Sequence, residues 1–415
     1  MLDINKIREF KAEVEAALLK RMDKEDLDLD KVIKIDDRRK QLLQEVETLK
    51  AERNKFSKTK PDAETIAKMK AVGDKIKKLD DQLRKVESEL REKISALPNL
   101  PADDVLPGGK ENNKVLKAFG EKPSFDFEPK DHYQLATDLG IIDYERAAKM
   151  SGAGFWVYRG QGAMLEWALL SYFIEFHQKN GYIFMIPPFL LTEESAYISG
   201  HLPKFRDDLF WTQDKSCLNA TSEMMLGNYH RDEILSFEDL PIKYAAYSTC
   251  FRREAGGYRK EERGMIRGHQ FNKIEMFHYA NPKQSWASFD ELIENAESLV
   301  EGLGLHYQTV QLAAGDASAA MAKTIDIEVW IPSMGIYKEV SSVSNALDYQ
   351  ARRGNVRFKN SETGKNEFLH TLNASGLATS RLFPAILEQF QNEDGSVAVP
   401  KPLQKFCGFK KIEKR

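Results

Sequence analysis

Two apolar seams in the first hundred residues constrain this chain more than any other feature. Leu42, Val46, Leu49 and Phe56 fall near heptad spacing, with Arg53 interrupting the series. After a break at Ser57-Lys58-Thr59-Lys60-Pro61-Asp62, a second series runs Ile66, Met69, Val72, Ile76, Leu79, Leu83, Val86, Leu90, Ile94 and Leu97. Steps of three and four put one apolar stripe on each of two helices. Pro61 suits the first turn of the second helix, and Asp62 and Glu64 suit its positive end. A short break between the seams predicts an antiparallel hairpin over residues 30–97. At 1.5 Å rise per residue the arm would be about 45–50 Å long.

The hairpin is basic on an acidic chain. From Lys31 to Leu97 there are 19 Lys and Arg against 13 Asp and Glu, a net of +6, although the whole chain carries −3. Lys55, Lys58 and Lys60 cluster at the tip. A solvated coiled coil or a dimerisation arm would explain this segment taken alone, and so would a rod lying along a polyanion. No apolar run approaches the length of a membrane span, and Met1-Leu2-Asp3-Ile4 lacks the basic and apolar regions of a secretory leader. Cys217, Cys250 and Cys407 lie far apart with no CxxC spacing. A reducing, cytoplasmic setting without a disulfide framework is the expectation.

Ala96-Leu97-Pro98-Asn99-Leu100-Pro101 ends the second helix, because proline cannot continue it. Pro107-Gly108-Gly109-Lys110 and the polar residues after it read as linker. Beyond them the pattern changes to short apolar runs, such as Tyr182–Ile186, Ile274–Phe277 and Ile325–Trp330. Between the runs lie helix-like stretches at Met164–His177 and Trp286–Leu303. The expected organisation is an N-terminal domain over 1–103 carrying the arm, then an α+β domain over 104–415 with an antiparallel sheet flanked by helices.

There is no GxxxxGK[ST] and no strand–GxGxxG–helix unit. A nucleotide here would be held by fixed arginines and by a magnesium ion on carboxylate or hydroxyl ligands. Three segments offer such groups. The first runs Phe251-Arg252-Arg253-Glu254-Ala255-Gly256-Gly257 and then Arg263 to Glu275, and reads as strand, loop, strand. The second is Lys338-Glu339-Val340-Ser341-Ser342-Val343-Ser344-Asn345, then Gln350-Ala351-Arg352-Arg353. The third is His370 to Arg381, opening an apolar helix.

These segments resemble the seryl-tRNA synthetases, a class II aminoacyl-tRNA synthetase family. The first is similar to motif 2 in its seryl form, FRxEAG…TRGLxRxHQFxKxE, and the third to motif 3, HTLNxSGLAxxR. Gly181-Tyr182 through Pro187-Pro188 resembles motif 1, which builds the dimer interface of the class. Thr221-Ser222-Glu223 sits where the family carries a Thr-x-Glu element, and the family's N-terminal hairpin grips the long variable arm of serine tRNA.

The resemblance implies an ATP-dependent activation of L-serine to seryl-adenylate, then transfer to tRNA-Ser, with tRNA-Sec a further substrate for the same arm. It assigns Arg252 to the α-phosphate and Arg381 to the γ-phosphate, with Glu254 and Phe271 on adenine. Glu339 and Ser342 would ligate Mg2+, and Arg253, Val340 and Ser341 would complete the ATP site. Glu275 would accept the serine hydroxyl, with Thr221, Ser222, Glu223, Asn373 and Ser375 around it. Lys55, Lys58 and Lys60 would contact tRNA, and motif 1 implies a homodimer.

The chain departs from the family in the motif 2 loop, which usually reads close to SxGRDT and here reads Gly257-Tyr258-Arg259-Lys260-Glu261-Glu262. Ser222 replaces a usual alanine, and Ala374 and Ser380 stand where glycine is common. A carrier-protein ligase with the same adenylation site would lack the arm. A non-catalytic RNA-binding paralogue would have lost one of Arg252, Glu275, Glu339 or Arg381. A duplicate synthetase conferring antibiotic resistance would keep all of them.

Overall fold

The computed structural model describes residues 1–56, 63–255 and 264–414. The tip positions Lys58 and Lys60, with Pro61 and Asp62, and the loop from Gly257 to Glu262 lie outside the described residues. The chain divides into two compact units, Met1–Leu100 and Pro101–Arg415.

In the first unit, α1 (Leu29–Phe56) and α2 (Ala63–Ala96) form the hairpin helices, 28 and 34 residues long. Val32, Ile35, Leu42 and Val46 of α1 are buried, as are Ile76, Leu79, Leu83, Val86, Leu90 and Ile94 of α2. Lys50 pairs with Asp80 across the two helices at 3.2 Å. The seam opens with distance from the base: Met69 and Val72 are half-buried, and Ile66 is 56% exposed. At the base, two short helices bring in Ile7, Val14 and Leu18, and fully buried Asp36 receives Arg8 at 3.1 Å and Arg39 at 2.8 Å.

The second unit is built on eight strands: β1 (Lys114–Phe119), β2 (Ile183–Met185), β3 (Ile242–Phe251), β4 (Gln270–Ala280), β5 (Tyr307–Gln311), β6 (Lys323–Ile331), β7 (Ile336–Leu347) and β8 (His370–Ala378). Their order is β1-β5-β6-β7-β8-β4-β3-β2. All neighbours are antiparallel except β2 and β3, which pair in parallel. Three helices, α3 (Gln161–Lys179), α4 (Ser285–Leu303) and α5 (Thr379–Gln389), share one core with the sheet.

Phe173 of α3, Phe289 and Leu292 of α4 and Phe383 of α5 pack in that core with Ile274 and Met276 of β4, Ile327 of β6 and Leu372 of β8. Side chains alternate along a strand, so burying Ile274 and Met276 against helices turns Phe271, Lys273 and Glu275 to the opposite face. Asn373 and Ser375 of β8 and Ser342 and Ser344 of β7 alternate in the same way. A bulge between Ile327 and Glu328, opposite Ser341 and Glu339, shifts the β6–β7 register just before Ser342.

β1 is the element that composition hides. It lies where the sequence reads as linker, all six residues are exposed, and it forms the outer edge of the sheet beside β5. The His370–Ala378 segment is a strand for nine residues before the helix begins at Thr379. All three cysteines are free and buried. Among the described residues no helix is long and apolar enough to cross a membrane.

The opening of the hairpin seam predicts unequal mutational costs. Leu83→Ala should destabilise the chain by about 2 kcal/mol or more, whereas Ile66→Ala should stay within about 0.5 kcal/mol of wild type. Urea unfolding followed by circular dichroism at 222 nm measures both, and equal costs would contradict the gradient of burial.

Candidate active site

The polar face of the sheet opens into a cavity of about 340 Å³. Thr221, Glu223, Lys273, Glu275, Asn373 and Ser375 line it, as do Arg252, Glu254, Glu339 and Ser342. A smaller cleft of about 40 Å³ shares Arg252, Glu254, Lys273, Glu339 and Ser375 with the cavity and adds Phe271, Val340, Ser380 and Arg381. The arginines at 252 and 381, 129 positions apart in sequence, therefore meet around one recess.

At one end the groups form a closed polar network. Lys273 Nζ makes a short ion pair with Glu275 Oε2 and donates to Thr221 Oγ1 at 2.7 Å. Thr221 Oγ1 donates to Glu275 Oε2 at 3.3 Å, and Asn373 Nδ2 to Glu275 Oε1 at 3.0 Å. Behind them Gln350 Nε2 donates to Glu223 Oε1 at 2.6 Å, while Thr371 Oγ1 donates to Gln350 Oε1 at 2.6 Å. Burial, then the neighbouring Glu275, pushes the Glu223 carboxyl up to about 7, against the pull of Lys273. A carboxyl so placed gains most from a cation arriving beside it.

At the other end Arg252 lies over the Phe271 ring, 5.2 Å from Cζ to centroid, and donates from Nε to Ala220 O at 3.3 Å. His269 Nδ1 is 2.9 Å from Arg252 O, so it fixes the backbone that carries the arginine. Arg381, in the first turn of α5, donates to Glu339 O at 2.8 Å and has Glu339 Oε2 at 3.4 Å. The positive end of α5 and two guanidinium groups make this recess receptive to phosphate. Glu254 has φ +51° and pairs with Arg267 at 2.9 Å.

The residues suit a divalent cation. Asp326 of β6 stands opposite Ser342 in the register, is buried, and has no partner for Oδ1 among the described residues. Burial, then Glu339, raises its carboxyl well above the usual range. Two carboxyls in repulsion beside a hydroxyl are hard oxygen donors that Mg2+ would relieve.

Three of the expected contact residues lie off the cavity. Ser222 donates its hydroxyl to Ser248 Oγ at 2.7 Å, Ser341 donates to Ser375 O at 2.6 Å, and Arg253 is exposed with its N–H on Asp208 O. The two serine hydroxyls support the walls from outside. The sequence assigns no role to Lys273, Gln350, Asp326 or His201. Lys273 could have been, since it stands two residues before Glu275 in a strand.

The sheet order, with two arginines from separate segments facing one recess, defines a class II aminoacyl-tRNA synthetase core. The family described as tRNA synthetase class II core domain (G, H, P, S and T) matches residues 205–390, and the seryl-tRNA synthetase N-terminal domain matches residues 1–101. Serine–tRNA ligase 2 of Clostridium acetobutylicum is 52% identical over 99% of this chain and 100% of its own length. The serine–tRNA ligase of Petrotoga mobilis is 45% identical over 98% and 99%. The crystal structure of seryl-tRNA synthetase from Pyrococcus horikoshii complexed with ATP matches at TM-score 0.92 and 33% identity, with all of both chains covered. The chain belongs to the seryl-tRNA synthetase family.

Beneath the recess, Glu166 of α3 joins the elements that carry its walls. Thr379 Oγ1 donates to Glu166 Oε1 at 2.6 Å and Asn272 Nδ2 at 2.8 Å. Burial pushes this carboxyl from 4.5 up to about 7, partly offset by those hydrogen bonds. The folded state thus holds a proton that the unfolded chain has lost. Stability contributed at low pH falls as pH rises from about 4.5 through about 7, by roughly 3 kcal/mol. Glu166→Gln should flatten that decline, read as melting temperature between pH 5 and 8, and an unchanged slope would place the titration elsewhere.

Proposed function

We propose that this chain activates L-serine with ATP and transfers the seryl group to tRNA-Ser, with Arg252 and Arg381 bracketing the triphosphate and Glu275 sensing the serine hydroxyl. The single observation that carries the assignment is the continuity of the two recesses. A phosphate-binding end bounded by Arg252 and Arg381 runs into a polar end closed by Thr221, Lys273, Glu275 and Asn373.

The serine carboxylate is already a nucleophile, so activation needs alignment with the α-phosphorus and neutralisation of developing charge, not a base. Arg252 meets the α-phosphate, Arg381 the γ-phosphate, and the Phe271 ring packs on adenine beside Glu254. Glu339 and Ser342, with Asp326 behind them, would hold Mg2+, which supplies further neutralisation of the phosphates when bound. Glu223 faces the serine ammonium. Each phosphate arginine is worth about 3–4 kcal/mol of transition-state stabilisation, on the scale of one oxyanion donor.

Serine is told from alanine by the network around Glu275. An alanine methyl leaves those buried polar groups without a partner, and such pockets reject the analogue strongly. Glu275→Ala should abolish serine-dependent pyrophosphate exchange while ATP binding, measured by calorimetry, persists. Retained exchange in that variant would show the assignment of Glu275 to be wrong.

The basic hairpin is the tRNA-binding element, with Lys55 in the last turn of α1 and Lys58 and Lys60 beyond it. Exposed Met164 and Trp167 of α3 and Ile183 and Ile186 around β2 make the apolar surface of a homodimer of the chain, working in the cytoplasm. Deleting residues 30–97 should leave serine-dependent exchange intact and cut charging of a serine tRNA transcript at least about tenfold, since the arm's phosphate contacts are lost. Full charging by the truncated chain would remove the arm from tRNA recognition.

A further inference from the structure

We propose that His201 is the proton acceptor of the second step, taking the proton of the tRNA 3′-terminal ribose hydroxyl as that oxygen attacks the seryl carbonyl. The proposal rests on the activity proposed above. His201 lines the cavity and is the one imidazole among the described residues that line either recess. Gly200 before it has φ +92°, and a Cβ there would stand 2.7 Å from the Ala320 Cβ, so the loop takes this path only with glycine.

The loop is held from behind by the helix Tyr349–Gly354. Arg353 Nη1 donates to Tyr197 O at 2.7 Å and to Leu202 O at 2.8 Å, and Gln350 Nε2 donates to Ser199 O at 2.8 Å. These bonds fix the backbone on both sides of His201. Ser199 Oγ donates to Ala196 O at 3.1 Å and lies 3.0 Å from His201 Nδ1. A hydroxyl has one proton, so with that proton on Ala196 O the Nδ1 is the donor and Nε2 is bare. Beyond burial, the neighbouring cations Arg252, Lys273 and Arg353 disfavour a second proton on the ring. Nε2 has no hydrogen-bond partner among the described residues.

The other candidates in the cavity are engaged. Glu275 is bound by Lys273 and Asn373, Glu223 by Gln350, Glu254 by Arg267, Glu339 by Arg381 and Asp208 by Ala255 N. Activation has no proton to move, so a neutral imidazole is idle in that step. Burial, then Arg252 and Lys273, holds His201 down to about 3. An adenylate phosphate paired with Arg252 offsets one of those cations and so raises the basicity of the ring at the step that uses it. The step then balances. The ribose O–H bond breaks with its proton going to Nε2, a C–O ester bond forms, and the acyl–phosphate C–O bond breaks with its electron pair leaving on AMP. The imidazolium returns its proton to the departing AMP phosphate.

The test separates the two steps. Seryl-adenylate preformed on the enzyme is mixed with a serine tRNA transcript in a rapid-quench device, and serine-dependent pyrophosphate exchange is measured alongside. For His201→Ala the expected result is transfer slowed about 100-fold or more with exchange within about threefold, the scale of a lost general base. His201→Gln, which keeps an acceptor without basicity, should be as slow, and added imidazole should partly rescue His201→Ala. Unchanged transfer would overturn the proposal and give the proton to the adenylate phosphate. Equal loss in both steps, or full transfer by His201→Gln, would overturn it in favour of loop positioning. Absence of serine-dependent exchange in the wild-type chain would instead overturn the activity on which the proposal rests.

Discussion

The buried pair Lys273–Glu275 is the constraint around which the rest of the catalytic unit is arranged. Two opposite charges two residues apart on β4 can be buried together only if the strand presents one face to a polar chamber and the other to helices. Ile274 and Met276 meet that second demand by packing among α3, α4 and α5. A buried ion pair contributes little to net stability, because desolvation offsets attraction, yet removing either partner leaves an uncompensated charge. Thr221 and Asn373 supply the remaining hydrogen bonds, so the pair ties a loop, β4 and β8 into one geometry. The polar end of the cavity owes its shape to that obligation.

Much of this was legible in the sequence, and the reasons are physical. The hairpin announced itself because heptad spacing survives over ten apolar positions, and no other local order gives that period. Arg252 and Arg381 could be named because each sits in a motif with fixed spacing, and the recess they share follows from β3 and β8 flanking β4 in the sheet. β1 was not legible. Its six residues are exposed and carry no alternation, so only pairing with β5 makes it a strand. Ile66 falls in the seam by spacing yet is exposed, because periodicity knows nothing of where a hairpin stops closing.

The candidate site shows the same division. Motifs identify residues that touch a common chemistry, and they assign no role to those recruited by tertiary contact. Gln350 reaches Glu223 from a six-residue helix, and Asp326 reaches Ser342 across a sheet register that a bulge shifts. His201 depends on a glycine path and an arginine 152 positions later. Ser222 and Ser341 sit inside motifs yet turn their hydroxyls to Ser248 and to the Ser375 carbonyl, because adjacent positions cannot all face one chamber.

The uneven charge of the chain has a further consequence. With +6 over Lys31–Leu97 and −3 overall, everything outside the hairpin sums to −9. Any nucleic acid approaching that remainder meets like charge, and the opposition is felt most at low ionic strength. On the proposed reading of the hairpin, an RNA that offers it nothing to hold has no attraction to set against that opposition.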